Sequence, residues 1–175
     1  MGGPGAQYAT IPPIMINSRI THAAQSYNQN ARFLNQSVAG VSDDEWLRRP
    51  NDHSNHLLWI VGHVAWARTM LLARLEAPWT TPWMSLYARG KTCEAGPDCP
   101  SPQVVMDAWH ESCTRIHDAM EAASEELLNT PVTQGPPTAD GMLSGVVDFL
   151  AFHETYHIGQ IAYLRAWLGH GGAMG

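Results

Sequence analysis

Apolar residues recur at spacings of three and four along four stretches of the chain, and almost nowhere alternate as a strand requires. The first stretch runs from Ile14 to Val38, with Ile16, Ile20, Ala23, Ala24, Tyr27, Ala31 and Leu34 on one side, and Gly40 ends it. Ser42 and Glu45 follow at the spacing of a capping box, in a short turn that Pro50 stops. The second stretch spans Ser54 to Glu76, ahead of Pro78, and its apolar face holds Leu57, Ile60, Val61, Val64, Ala67, Leu71 and Leu75. The third opens at Ser101-Pro102, a good N-cap followed by a residue favoured at the first helical position, and continues to about Leu128. The fourth runs from Met142 to Leu168 with Gly169 as its stop, and Gly145 weakens its first turn. These stretches predict an all-α four-helix bundle, one domain over residues 1–175, with flexible Gly/Pro-rich tails at 1–13 and 170–175.

A long connection, Ala77 to Pro100, joins the second and third helices. Connections of this length in compact domains are usually functional or disordered, and Trp79, Trp83 and Tyr87 argue for order because such rings gain by burial. It is expected to fold as a flap over one end of the bundle. Cys93 and Cys99 sit in it, close enough in sequence to bridge under oxidation. With Cys113 they make three cysteines, an odd count that speaks against a secreted disulfide framework.

Charge narrows the classes further. Charged residues are only 15% of the 175, with hydrophobic residues at 45% and a net charge of −6. No Lys/Arg cluster stands out, so a nucleic-acid partner is not expected. No apolar run approaches the ~20 residues of a membrane helix, and the first ten residues lack the basic start and apolar core of a signal peptide. A cytoplasmic location is the expectation.

The densest chemical signal is His153-Glu154-Thr155-Tyr156-His157 inside the fourth helix. Imidazoles at i and i+4 share a face, ~6 Å apart, and can converge on one metal ion. Val146, Val147, Phe149, Leu150, Ile161 and Leu164 make this the most apolar helix, where two unpartnered histidines would be costly. The string also matches the zincin motif H-E-x-x-H. That reading lacks a third ligand: no Asp or Glu follows His157, position 163 is Tyr, and His170 lies in a Gly-rich tail. The third ligand is therefore sought upstream, where His63 sits among apolar neighbours in mid-helix. His63 lies roughly 14 Å along its helix, and His153 and His157 roughly 17 to 22 Å along theirs, at 1.5 Å per residue. In an up-down-up-down bundle those two helices run parallel, and the three imidazoles fall at similar height. His56, seven residues before His63, is the other candidate near that face and is expected at the mouth of the site.

The strings Asn55-His56-Leu57-Leu58-Trp59-Ile60-Val61-Gly62-His63 and His153-Glu154-Thr155-Tyr156-His157-Ile158-Gly159-Gln160-Ile161, with Leu164-Arg165 and Leu168-Gly169, carry a resemblance. So do the helix order, the long flap and the Ser-Pro opening of the third helix. The chain resembles the DinB/YfiT-like bundle proteins over nearly everything after Met15. The resemblance implies a divalent metal held by His63, His153 and His157, and imidazole ligands suit Zn and Ni. It also implies chemistry on a small molecule. Relatives include transferases and isomerases that use low-molecular-weight thiols such as bacillithiol or mycothiol, and proteins called metal-dependent hydrolases. Many members carry Arg directly after the last ligand, where this chain has Ile158.

Among the remaining residues, Glu154 is a candidate general base, a hydrogen-bond acceptor for a ligand, or a solvent-facing carboxylate. It lies about 80° round the helix from the mean direction of its two histidine neighbours. Tyr156 and Gln160 flank the ligands as candidate hydrogen-bond partners. His53, His110 and His117 read as ordinary surface histidines, Trp59, Trp66, Trp109 and Trp167 as packing residues, and Arg165 as a partner for a carboxylate. The functional expectation is a metal-dependent enzyme performing hydrolysis or thiol transfer. A non-catalytic metal-binding protein of stress response or interaction is the alternative, and seven tryptophans with few charges make a homodimer plausible.

Overall fold

The computed structural model describes residues 16–93, 96, 98–99 and 100–172. Among these the protein is all-helical, with α1 (Thr21–Val38), α2 (Leu57–Arg74), α3 (Pro102–Ala122), a short α4 (Glu125–Leu128) and α5 (Leu143–Trp167). There is no strand among the described residues, only an isolated antiparallel bridge between Pro131 and Met142. α1 packs on α5, α2 packs on both α3 and α5, and α1 also touches α3. That set of pairings is consistent with the expected four-helix bundle.

Side-chain caps set several of the boundaries. Only half of the expected box forms at Ser42 and Glu45: the Glu45 carboxylate accepts from both the Ser42 backbone N–H and the Ser42 hydroxyl at 2.9 Å, while Glu45 N–H donates to the Ser42 carbonyl. Ser101 accepts from Val104 N–H at the start of α3, with Pro102 just inside. α1 begins later than its apolar pattern suggests: a 3₁₀ turn over Ser18–Ile20 precedes it, its Asn17 cap accepting from Arg19 N–H. Ile14 and the tail 1–13 lie outside the described residues.

The third helix does not reach Leu128 unbroken. It ends at Ala122, Ala123 is extended, and Ser124 restarts the chain as α4 by accepting from Leu127 N–H at 3.1 Å. A serine followed by Glu125 and Glu126 is a helix start, and that cap competes with continuation. The second tail is also held at its beginning. His170 Nε2 lies 3.1 Å from the Glu45 carboxylate and its backbone N–H donates to Arg165 O, while 173–175 fall outside the described residues.

α2 is buried on most sides and α5 on its inner face, and the core divides into two apolar clusters stacked along them. One holds Ile20, Tyr27, Leu71, Leu72, Ile116, Met120 and Val147; the other holds Leu34, Leu57, Val61, Trp109, Ile158 and Ile161. Arg68, Ser112 and Glu154 fall between the two sets along α2, α3 and α5, and form a buried polar layer. Arg68 donates to both carboxylate oxygens of Glu154, at 2.7 and 2.9 Å, and to Ser112 Oγ at 3.2 Å. Its guanidinium also lies 3.8 Å from the centre of the Trp109 ring. Burial alone would lower the pKa of this guanidinium, and Glu154 more than reverses that.

The connection after α2 is ordered where described, but it runs alongside α2 instead of lying over an end of the bundle. Met84 and Tyr87, in its 3₁₀ turn, are fully buried. Gly62 makes this docking possible: a Cβ there would collide with the Tyr87 ring. Gly145, read from sequence as a weak point, has a comparable reason, since a Cβ there would meet the Asp140 carboxylate.

Candidate metal centre

Three imidazoles converge where α2 packs on α5. One ring nitrogen from each of His63, His153 and His157 lies within 4.8 Å of the other two. The i, i+4 step on α5 brings His153 Nε2 to 3.1 Å from His157 Nε2, and His63 from α2 faces both rings edge-on. His63 and His157 are buried and His153 is half-buried.

Hydrogen bonds at Nδ1 orient two of the three rings. Tyr87 O takes a hydrogen bond from His63 Nδ1 at 2.8 Å, which leaves the Nε2 lone pair of His63 available. The same ring is stacked between Trp59 at 4.7 Å and Trp66 at 5.3 Å. His157 Nδ1 donates to Gln160 Oε1 at 2.7 Å, and Gln160 Nε2 donates to the Tyr156 hydroxyl at 3.2 Å. His153 Nδ1 is buried without a hydrogen-bond partner. Protons are assigned here from the hydrogen-bond network.

The electrostatics favour neutral rings. Burial lowers the pKa of His63, with the Tyr87 carbonyl opposing it. Burial and then the neighbouring His63 lower that of His153. His157 falls to about 4, through burial first and the His153 charge second. Near neutral pH all three therefore carry lone pairs rather than extra protons, the state in which imidazole binds a metal. A histidine trio with neutral rings, two of them oriented through Nδ1–H, fits a divalent cation.

Several expected site residues stand elsewhere. His56 does not line the mouth: it is buried as the N-cap of α2, where Nδ1 accepts from Trp59 N–H at 3.1 Å and Nε2–H donates to Cys93 O at 3.0 Å. Its i−7 spacing from His63 places it on the expected side, but at the helix end the ring turns back to satisfy an orphan N–H. Glu154 is not poised as a general base. Its carboxylate points into the core and both oxygens are taken by Arg68. Arg68 was missed in the sequence. The available signal was an arginine in the middle of α2 and the one glutamate of α5, each among apolar neighbours. Among the described residues Arg165 meets no carboxylate; it donates to Ser37 O and Ala39 O at the C-terminal end of α1. Gln160 bonds the His157 ring directly, the Tyr156 hydroxyl bonds Gln160 in turn, and His53, His110 and His117 are exposed. Ile158 is buried in the core, so no basic group follows His157.

Fold and site together define an all-helical protein with a three-imidazole centre between two helices. A family model for the DinB superfamily matches residues 27–161, and the chain belongs to that superfamily. The fold is similar to a crystal structure described as the conserved protein of locus from Enterococcus faecalis. That likeness has a TM-score of 0.64 and 14% identity, over 83% of this chain and 94% of that one. At such identity it carries the fold alone. Comparison with curated proteins finds no match.

Proposed function

We propose that this chain is a four-helix-bundle metalloenzyme in which His63, His153 and His157 hold one divalent ion. The observation that carries the reading is the convergence of three neutral ring nitrogens within 4.8 Å of one another. Zn and Ni both suit imidazole ligands. Three protein ligands leave room for water or a substrate atom, as catalytic rather than closed structural sites do. When bound, such an ion supplies Lewis acidity toward water, a carbonyl or a thiol.

The chain's own residues have separate parts. Tyr87 O and Gln160 hold the His63 and His157 rings with their Nδ1–H groups turned away from the shared space. Trp59 and Trp66 shield His63 from water on both faces. Glu154, locked to Arg68, holds α5 against α2. Tyr156, exposed and with its hydroxyl linked to Gln160, stands where a small-molecule substrate would first be met. The substrate class is a small molecule undergoing hydrolysis or transfer of a low-molecular-weight thiol. The setting is cytoplasmic; no helix among the described residues is long and apolar enough to cross a membrane. Phe152, Tyr156 and Tyr163 leave an exposed aromatic stripe on α5, which suits a homodimer. The second reading, a metal-binding protein without catalysis, shares the same centre.

The test is elemental mass spectrometry on untagged protein purified without chelator, beside His63→Ala and His157→Ala. About one Zn or Ni per chain, lost in both variants, is the expected result for a three-ligand site. Metal retained in His63→Ala would remove His63 from the ligand set. No metal in any sample would end the metalloenzyme reading.

A further inference from the structure

The flap holds a second reactive group beside the imidazoles. Cys93 is buried, and its sulfur lies 2.7 Å from that of Cys99. Both are present as thiols. The Tyr87 hydroxyl sits 3.8 Å from Cys99 Sγ, on the same residue whose carbonyl takes the His63 hydrogen bond. The Cys93 carbonyl is itself held by His56 Nε2 at 3.0 Å. Cys99 stands two residues before Ser101, the cap of α3. A bond between the two sulfurs would therefore join the far end of the flap, already fastened to α2, to the base of α3. The sulfurs need only a small approach to reach the ~2.05 Å of a disulfide.

We propose that Cys93 and Cys99 are a redox pair whose reversible disulfide clamps the flap along α2, beside the three-imidazole centre. The oxidant is a low-molecular-weight disulfide. The thiolate of Cys99, the more exposed of the two, attacks one sulfur of that disulfide and expels a small thiolate. The thiolate of Cys93 then attacks Cys99 Sγ, forming the intramolecular bond and expelling the second small thiolate. Two electrons pass to the small disulfide, and the two protons lost by the cysteines end on the two released thiols. Cys113 is separate: its sulfur accepts from Arg68 at 2.9 Å in the buried polar layer. The clamp rests on the flap geometry and not on the metal assignment.

The experiment uses the full chain after chelator treatment, equilibrated in glutathione buffers of graded oxidised-to-reduced ratio, acid-quenched, alkylated and weighed. Two of the three cysteines should lose reactivity together, with a fragment linking residues 93 and 99, and excess thiol should restore all three. Cys93→Ser and Cys99→Ser should each abolish the link, and Cys113→Ser should leave it. Hydrogen exchange then reads the clamp: amides of residues 84–91 should exchange about tenfold more slowly in the oxidised protein. Full alkylation at every ratio, a link involving Cys113 or a stable mixed disulfide with glutathione would overturn the redox pair. A 93–99 link that leaves flap exchange unchanged would overturn the clamp.

Discussion

Replacing Arg68 with methionine keeps much of the side chain's volume but leaves the Glu154 carboxylate alone in the core. The two side chains are 2% and 3% exposed, so little water can replace the lost guanidinium. Glu154 would lose both of its bonds, at 2.7 and 2.9 Å, and Ser112 and Cys113 would lose a donor. Stripping one partner from a buried ion pair costs about 3–5 kcal/mol. Against a total stability of about 5–15 kcal/mol, Arg68→Met should be close to the limit of folding. Pairing Arg68→Met with Glu154→Leu should recover most of the loss, since an apolar replacement of the whole pair leaves no buried charge. Urea unfolding followed by circular dichroism reads this directly. With a slope of about 2 kcal/mol per molar, the single variant's midpoint should fall by about 2 M at pH 7. A loss under ~1 kcal/mol, or a double variant no better than the single, would refute the claim that the pair is a buried, charge-compensated layer.

In metal-free protein, His157 should make stability pH-dependent. Above 6.5 both folded and unfolded chains hold it neutral; as pH falls from 6.5 toward about 4 only the unfolded chain takes the proton, and stability is lost. That is about 3 kcal/mol, and thermal melts of His157→Gln should lack that share of the acid sensitivity, whereas an unchanged profile would disprove it. Gly62→Ala should drive a methyl into the Tyr87 ring, cost about 1–3 kcal/mol, and release flap amides to faster exchange. Gln160→Leu should weaken metal affinity about 10–100-fold by freeing the His157 ring, while Tyr156→Phe should change it far less, as isothermal titration would show.

Periodicity made the long helices legible because α1 and α3 each keep one apolar face, and because Ser101-Pro102 announces the start of α3 locally. The histidines His153 and His157 were legible for the same local reason, being one turn apart. The break at Ala123 was not, since Ser124 can sit inside a helix as well as start one, and only the competing cap decides. The role of His56 was hidden because helical phase says which side a residue takes, not whether its ring points outward or back along the axis. The Arg68–Glu154 layer joins residues 86 apart, and no local pattern reports a pairing across two helices. The same limit applied to the flap. Its aromatic residues announced burial, but their partner surface on α2 was not written within the flap.

The flap meets α2 through a run of ring N–H groups on the helix: His56 to Cys93 O, Trp59 to Lys91 O, and His63 to Tyr87 O. Every acceptor in that run is a main-chain carbonyl, which all twenty residue types possess. At these three bonds the helix recognises the path of the flap, and its spelling matters where the Tyr87 ring seats against Gly62. Side chains at Lys91 could be exchanged freely without loosening this seam, whereas one change at His56 or Trp59 would open it. Variation can accumulate at such positions of the strap while the imidazole it steadies stays in place.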